Sequence, residues 1–208
     1  MTVQNARRKL RREFKLETLE RREVLTGAVS AAHVHEAIQL HASTAVDIAP
    51  APGGTVLYNA NSIYDVQTNY IGGTLGLQAF VDGLYINVLG RAPDAPGATY
   101  WLDKLESGML PSTVTRAFVS TANSNGATFP AVTGAGNTYT SFLGGPTGVQ
   151  SSVVGRYVDV LNRAPDAAGE AAWINQIEMV GGVRPGYVTE AFLKSPEFVN
   201  SGGTVVQV

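Results

Sequence analysis

Few residues in this 208-residue chain could do chemistry, because it has no cysteine and only three histidines. His33, His35 and His41 all lie near the N-terminus, and a His-x-His pair can ligate zinc or copper with His41 or Glu36 as a third ligand. Their spacing lacks the i, i+4 pair of a helical zincin site, so no metal and no cofactor is expected. Beyond position 41 no Ser-His-Asp or Cys-His nucleophile can be assembled. Carboxylates remain, for example Asp103 with Glu106 or Glu178 with Glu190. Such pairs would suit glycoside hydrolysis if they flanked one cleft, but charged residues on helices usually form a solvated face. Gly144-Gly145-Pro146-Thr147-Gly148 has no following Lys-Ser/Thr, so it is not a phosphate loop. Asp94 and Asp166 could bind calcium only with oxygen neighbours from their turns, and the spacing is not that of an EF-hand.

One constellation of arginine, aspartate and tryptophan occurs twice. Tyr85 to Trp101 shares ten identities in 17 positions with Tyr157 to Trp173, at an offset of 72. Before each shared Arg-Ala-Pro-Asp, apolar residues recur at three- and four-residue spacing: Phe80, Leu84, Tyr85, Val88 and Leu89, then Val153, Val154, Tyr157, Val160 and Leu161. Pro93 and Pro165 disfavour helical angles in the preceding alanine, which predicts that the first helix ends near Arg91 and Arg163. Asp94 and Asp166 suit the N-cap of the next helix, and the arginine three residues earlier can pair with each. Gly97 and Gly169 remove a side chain where two helices approach, and Trp101 and Trp173 follow on the same face. A ligand site for an anion or a sugar would use the same residue types. The spacing meets the demands of capping and packing residue by residue, so these positions are read as a corner, with both tryptophans buried against the sister copy.

Pro111 and Pro185 then open a third helix carrying Phe118 and Phe192, with two residues inserted before the second proline, so the offset becomes 74. The second copy closes on Ser195, Glu197 and Phe198. In the first copy Ser120-Thr121-Ala122-Asn123 has lost this element, which predicts a frayed last helix.

Taken together, Tyr157, Leu161, Arg163, Pro165, Asp166, Gly169, Trp173, Phe192, Ser195, Glu197 and Phe198 resemble the bacterial domain of unknown function 4214 family. Its repeats are similar to those of phycobilisome linker domains. The resemblance covers about residues 78–200. It implies a helical fold and an exported or cell-surface address, and it assigns no chemistry.

Composition and charge bound the rest. The chain is 44% hydrophobic and 15% charged, with 23 glycines and 10 prolines, which implies short helices and long connections. Net charge is -2, yet residues 1–30 carry eight basic groups and four glutamates. The glutamates weaken a phosphate-binding stripe, so nucleic acid is not the expected partner. Leu16 to Leu25 resembles the arginine- and glutamate-bearing leader of bacterial secreted proteins, and Val24 to Ala32 has the rough shape of an apolar region with a cleavage site. No run is long enough to span a membrane.

The expectation is an all-α, compact helical bundle of two tandem helix-turn-helix repeats, with a disordered leader and Gly/Pro-rich loops. Its parts are a basic export leader (1–32), a flexible linker (33–61), a helical domain (62–200) and a tail (201–208). Within the domain lie repeat one (78–122), a surface loop (123–150) and repeat two (151–200). The expected function is a non-catalytic, secreted or cell-surface interaction module with a protein or cell-surface polymer as partner. The alternatives are a carbohydrate-binding or carbohydrate-active protein, and nucleic-acid contact through the basic arm.

Overall fold

Helix α1 (Gly73–Leu89) is apolar on nearly every side, and a helix of that kind has to be enclosed. Its residues from Leu75 to Val88 are all buried. Helix α5 (Pro146–Leu161) is enclosed along almost its whole length as well, although it carries Ser151, Ser152, Arg156 and Asp159. The two form the principal helix pair of the molecule.

Glycines let them cross closely. A Cβ on Gly83 would lie 1.7 Å from the Ser151 carbonyl oxygen, and one on Gly155 would lie 1.5 Å from that of Ala79. Gly83 corresponds to Gly155, and Ala79 to Ser151, at the 72-residue offset. Each copy therefore rests its glycine on the carbonyl of the other.

The computed structural model describes residues 55–58, 70–132 and 136–207. The basic leader and the three histidines lie outside the described residues, as do residues 62–67, where the apolar Ile63, Tyr64 and Val66 suggest a short helix from the sequence. Around the central pair, α2 (Ala95–Glu106) and α3 (Pro111–Ser124) follow α1. Helices α6 (Ala167–Glu178), α7 (Pro185–Leu193) and α8 (Pro196–Asn200) follow α5. Phe80, Leu84, Tyr85, Leu105, Phe118, Val153, Tyr157, Ile177, Phe192 and Phe198 share one core cluster. The fold is all-α in its body, as a compact set of helices.

Several local features differ from the sequence reading. Helices α1 and α5 stop at Leu89 and Leu161, before the arginines, because Gly90 and Asn162 adopt left-handed angles (φ 65° and 51°). Glycine has no Cβ to strain there, and asparagine is the residue that best tolerates the same conformation. Helix α3 is not frayed but runs unbroken to Ser124. Pro196, which lacks an amide hydrogen and opens a new helix in the second copy, aligns with Ala122 in the first, so nothing interrupts α3 there.

The stretch 123–150 is only partly loop. It contains helix α4 (Thr138–Leu143), capped by Asn137, and the first turn of α5. The Asn137 amide also donates to the carbonyls of Ile177 and Met179 at 2.6 and 2.8 Å, anchoring this connection to the end of α6. Thr55–Tyr58, in the expected linker, and Thr204–Gln207, in the expected tail, form strands β1 and β2. They pair in parallel, Thr55 opposite Thr204 and Tyr58 opposite Gln207.

Candidate functional site

At each corner the aspartate caps the incoming helix. The N–H of Gly97 donates to Asp94 at 2.9 Å, and that of Gly169 to Asp166 at 2.8 Å. These bonds, with the nearby arginine, hold both carboxyls below the usual carboxylate range. Arg91 reaches Asp94 at 3.2 Å and Arg163 reaches Asp166 at 3.5 Å. The guanidinium carbons lie 4.9 and 4.8 Å from the ring centres of Tyr85 and Tyr157, within cation–π range. A Cβ on Gly97 would stand 2.3 Å from the Tyr85 hydroxyl, and one on Gly169 2.3 Å from that of Tyr157. The glycines make room for a tyrosine hydroxyl at the corner.

Pro93 is buried and Pro165 half-buried at these turns, and Leu89 and Leu161 pack half-buried against the core. The tryptophans are not enclosed between the two copies. Trp101 and Trp173 are half-buried, and each ring meets the phenylalanine of its own copy: Phe118 at 5.4 Å and Phe192 at 5.5 Å. The space between the copies is taken by the α1–α5 crossing, which leaves no room for an indole. Tyr85 and Tyr157 meet the same phenylalanines edge-on, both at 4.9 Å. Ser195 caps α8 by accepting the N–H of Phe198, whose ring is buried, and Glu197 pairs with Arg163 at 2.5 Å.

The carboxylates singled out by spacing are not brought together into a site. Asp103 and Glu106 are exposed on α2, and Glu190 pairs with Lys194 one turn along α7. The acids that do meet are Asp82 on α1 and Asp159 on α5, both buried. Burial first, and Asp159 second, push the Asp82 carboxyl well above its ordinary range, which favours a proton on Asp82. Gln78 donates to Asp82 at 2.7 Å. No sequence spacing announces this pair, because its members sit on different helices.

Arg156 is fully buried in the same helix pair. Its Nε donates to the Thr189 hydroxyl at 2.7 Å, and its Nη2 to the carbonyls of Ile71 and Pro185 at 2.6 and 3.1 Å. Nη1 donates to Ser152. The guanidinium thus ties the entrances of α1 and α7 to α5. Among the described residues, no group of three or more His, Cys, Asp or Glu side chains is placed to hold a metal ion, and no helix is long and apolar enough to cross a membrane.

Residues 67–126 match the model of the family described as domain of unknown function (DUF4214). Over that stretch the chain is similar to the DUF4214 family. The DUF4214 match takes in α1, α2 and α3, and with them the whole first corner from Tyr85 to Phe118. It falls on the copy that has lost the closing Ser-Pro-Glu-Phe element. No curated protein and no solved structure matches the chain.

Proposed function

We propose that this chain is a non-catalytic structural or interaction module of the cell surface or the extracellular space. The observation that carries the reading is how the repeated residues are used. Asp94 and Asp166 cap helices, Tyr85 and Tyr157 pack under arginines, and Trp101 and Trp173 brace their own third helices. The motif builds a frame. Outside it, the α6–α7 turn offers Met179 and Val180, with Tyr187 in the first turn of α7, and Val180 is 98% exposed. That turn is where the second copy carries its two extra residues. The address rests on the likeness of Leu16–Leu25 to a secretion leader.

Two experiments test this. Retention of the purified chain on washed cell envelopes should fall several-fold for Val180→Asp while Tm stays unchanged; equal retention removes the α6–α7 turn from the proposal. N-terminal sequencing of chain recovered from culture fluid should give a start beyond residue 25. A chain confined to the cytoplasm with Met1 intact would overturn the address.

One observation favours a second reading, sugar binding. Tyr100 is 52% exposed and lies edge-on to the half-buried Trp101 at 5.0 Å, an aromatic pair open to solvent. Calorimetry with envelope oligosaccharides on the chain and on Tyr100→Ala decides it. Heat lost only in the variant would favour the sugar reading.

A further inference from the structure

The second corner holds a carboxylate that the first corner lacks. Nε and Nη2 of Arg163 both donate to Glu197, at 2.5 and 2.9 Å, the two-pronged arrangement in which a guanidinium edge matches a carboxylate. Its Nη1 turns the other way, to the Ala164 carbonyl at 3.0 Å and to Asp166 at 3.5 Å. Nη1 of Arg91 makes the same two contacts, with the Ala92 carbonyl and with Asp94, both at 3.2 Å. The stacking on Tyr85 is also the same as that on Tyr157, to within 0.1 Å.

Arg91 therefore holds the pose of Arg163 without any help from a glutamate. Among the described residues, nothing bonds its Nε–Nη2 edge. The sequence gives the reason: at the 74-residue offset Glu197 aligns with Asn123, whose amide is engaged by the N–H and carbonyl of Phe129 at 2.9 and 3.2 Å. The Arg91 side chain is accordingly 53% exposed, against 37% for Arg163.

We propose that the Nε–Nη2 edge of Arg91 is a recognition site for a glutamate side chain of a partner protein. That glutamate would be presented in the first turn of a helix, as Ser195-Pro196-Glu197-Phe198 presents Glu197 within this chain. The occupant of the second corner is peptide, borne on a helix that Ser195 caps, which favours a peptide over a free acid or an acidic sugar. Asp94 is no obstacle, since Asp166 stands in the same place beside a filled Arg163. Because Tyr85 and Asp94 fix the arginine beforehand, little side-chain freedom is left to lose on binding. The proposal rests on the interaction-module reading and gives it an acidic partner. Affinity from one solvent-facing edge is weak, in the millimolar range.

The test uses the full chain, labelled with nitrogen-15, titrated with a blocked peptide of residues 193–200 (Leu-Lys-Ser-Pro-Glu-Phe-Val-Asn) while the arginine Nε–H resonances are followed. The Arg91 resonance should move saturably and that of Arg163, whose edge is filled, should not. A peptide with Glu197→Gln should move neither. Arg91→Lys keeps the charge without the fork and should weaken peptide binding about tenfold, the loss of one good charge-assisted bond. Equal shifts with both peptides, or undiminished binding by Arg91→Lys, overturn the site. Acetate or a galacturonate oligomer giving the same shift at equal carboxylate concentration overturns the peptide assignment. Peptide failure alongside envelope retention that still depends on Val180 sinks the acidic partner and leaves the module standing. Failure of both sinks both.

Discussion

The Asp94 carboxyl is held below its ordinary range chiefly by the N–H of Gly97 and then by Arg91; Glu197 is held down by Arg163. A carboxyl depressed by folding adds stability above its unfolded value, about 4, and gives it back as pH falls through the lower folded value. Asp82 behaves oppositely. Its raised folded value means that its contribution is complete at acid pH and drains away as pH rises through that value. Thermal unfolding followed across pH should therefore show two separable limbs. Asp94→Ala should cost about 1 kcal/mol at neutral pH, the worth of an N-cap, and shrink the acid limb. Asp82→Asn keeps an acceptor for Gln78 without the charge and should flatten the limb in which stability falls as pH rises above the unfolded carboxyl value; a limb that survives unchanged would place its origin elsewhere. Of these groups Asp94, its copy and the arginines three residues earlier are legible in the sequence, since capping is a local matter of Pro-Asp-x-x-Gly, and Glu197 is legible as part of the closing element but not as the partner of Arg163. Asp82 acquires its character from Asp159 across the helix pair, and Arg156 from Ile71 and Thr189, which no local pattern connects.

Elements meet where side chains are missing. The crossing of α1 and α5 puts backbone against backbone at Gly83 and Gly155, so a methyl group at either must push the helices apart. Gly83→Ala should cost about 1–3 kcal/mol or more by chemical denaturation, as overpacking does, and Gly155→Ala a similar amount. An unchanged midpoint for either would mean that the helices do not cross there. The clue lay just upstream of the compared windows, where Gly83 and Gly155 align at the same offset as the corners. Other elements were readable from their punctuation: Pro111 and Pro185 open α3 and α7, and Ser107 ends α2. Helix α4 was not, because six residues among glycines and threonines carry too little periodicity to stand out, and its position is set by Asn137 bridging to the end of α6.

At the scale of the molecule, strands β1 and β2 bring together the stretches before α1 and after α8. Four residues each, flanked by glycines and far apart in sequence, they gave no pairing signal, since a parallel register is set by the body between them. Removing residues 204–208 should speed amide exchange at residues 55–58 and leave that of α1 and α5 unchanged; slowed or unaltered exchange there would show that the pairing does not protect those amides. The parallel sense of the pair has a mechanical side. Tension applied through the residues before Thr55 and after Gln207 pulls the strands lengthwise past one another, so their cross-links share the load together instead of parting one at a time. Stretched end to end, the chain should resist first at this clasp, and the helices should yield only once it has slipped.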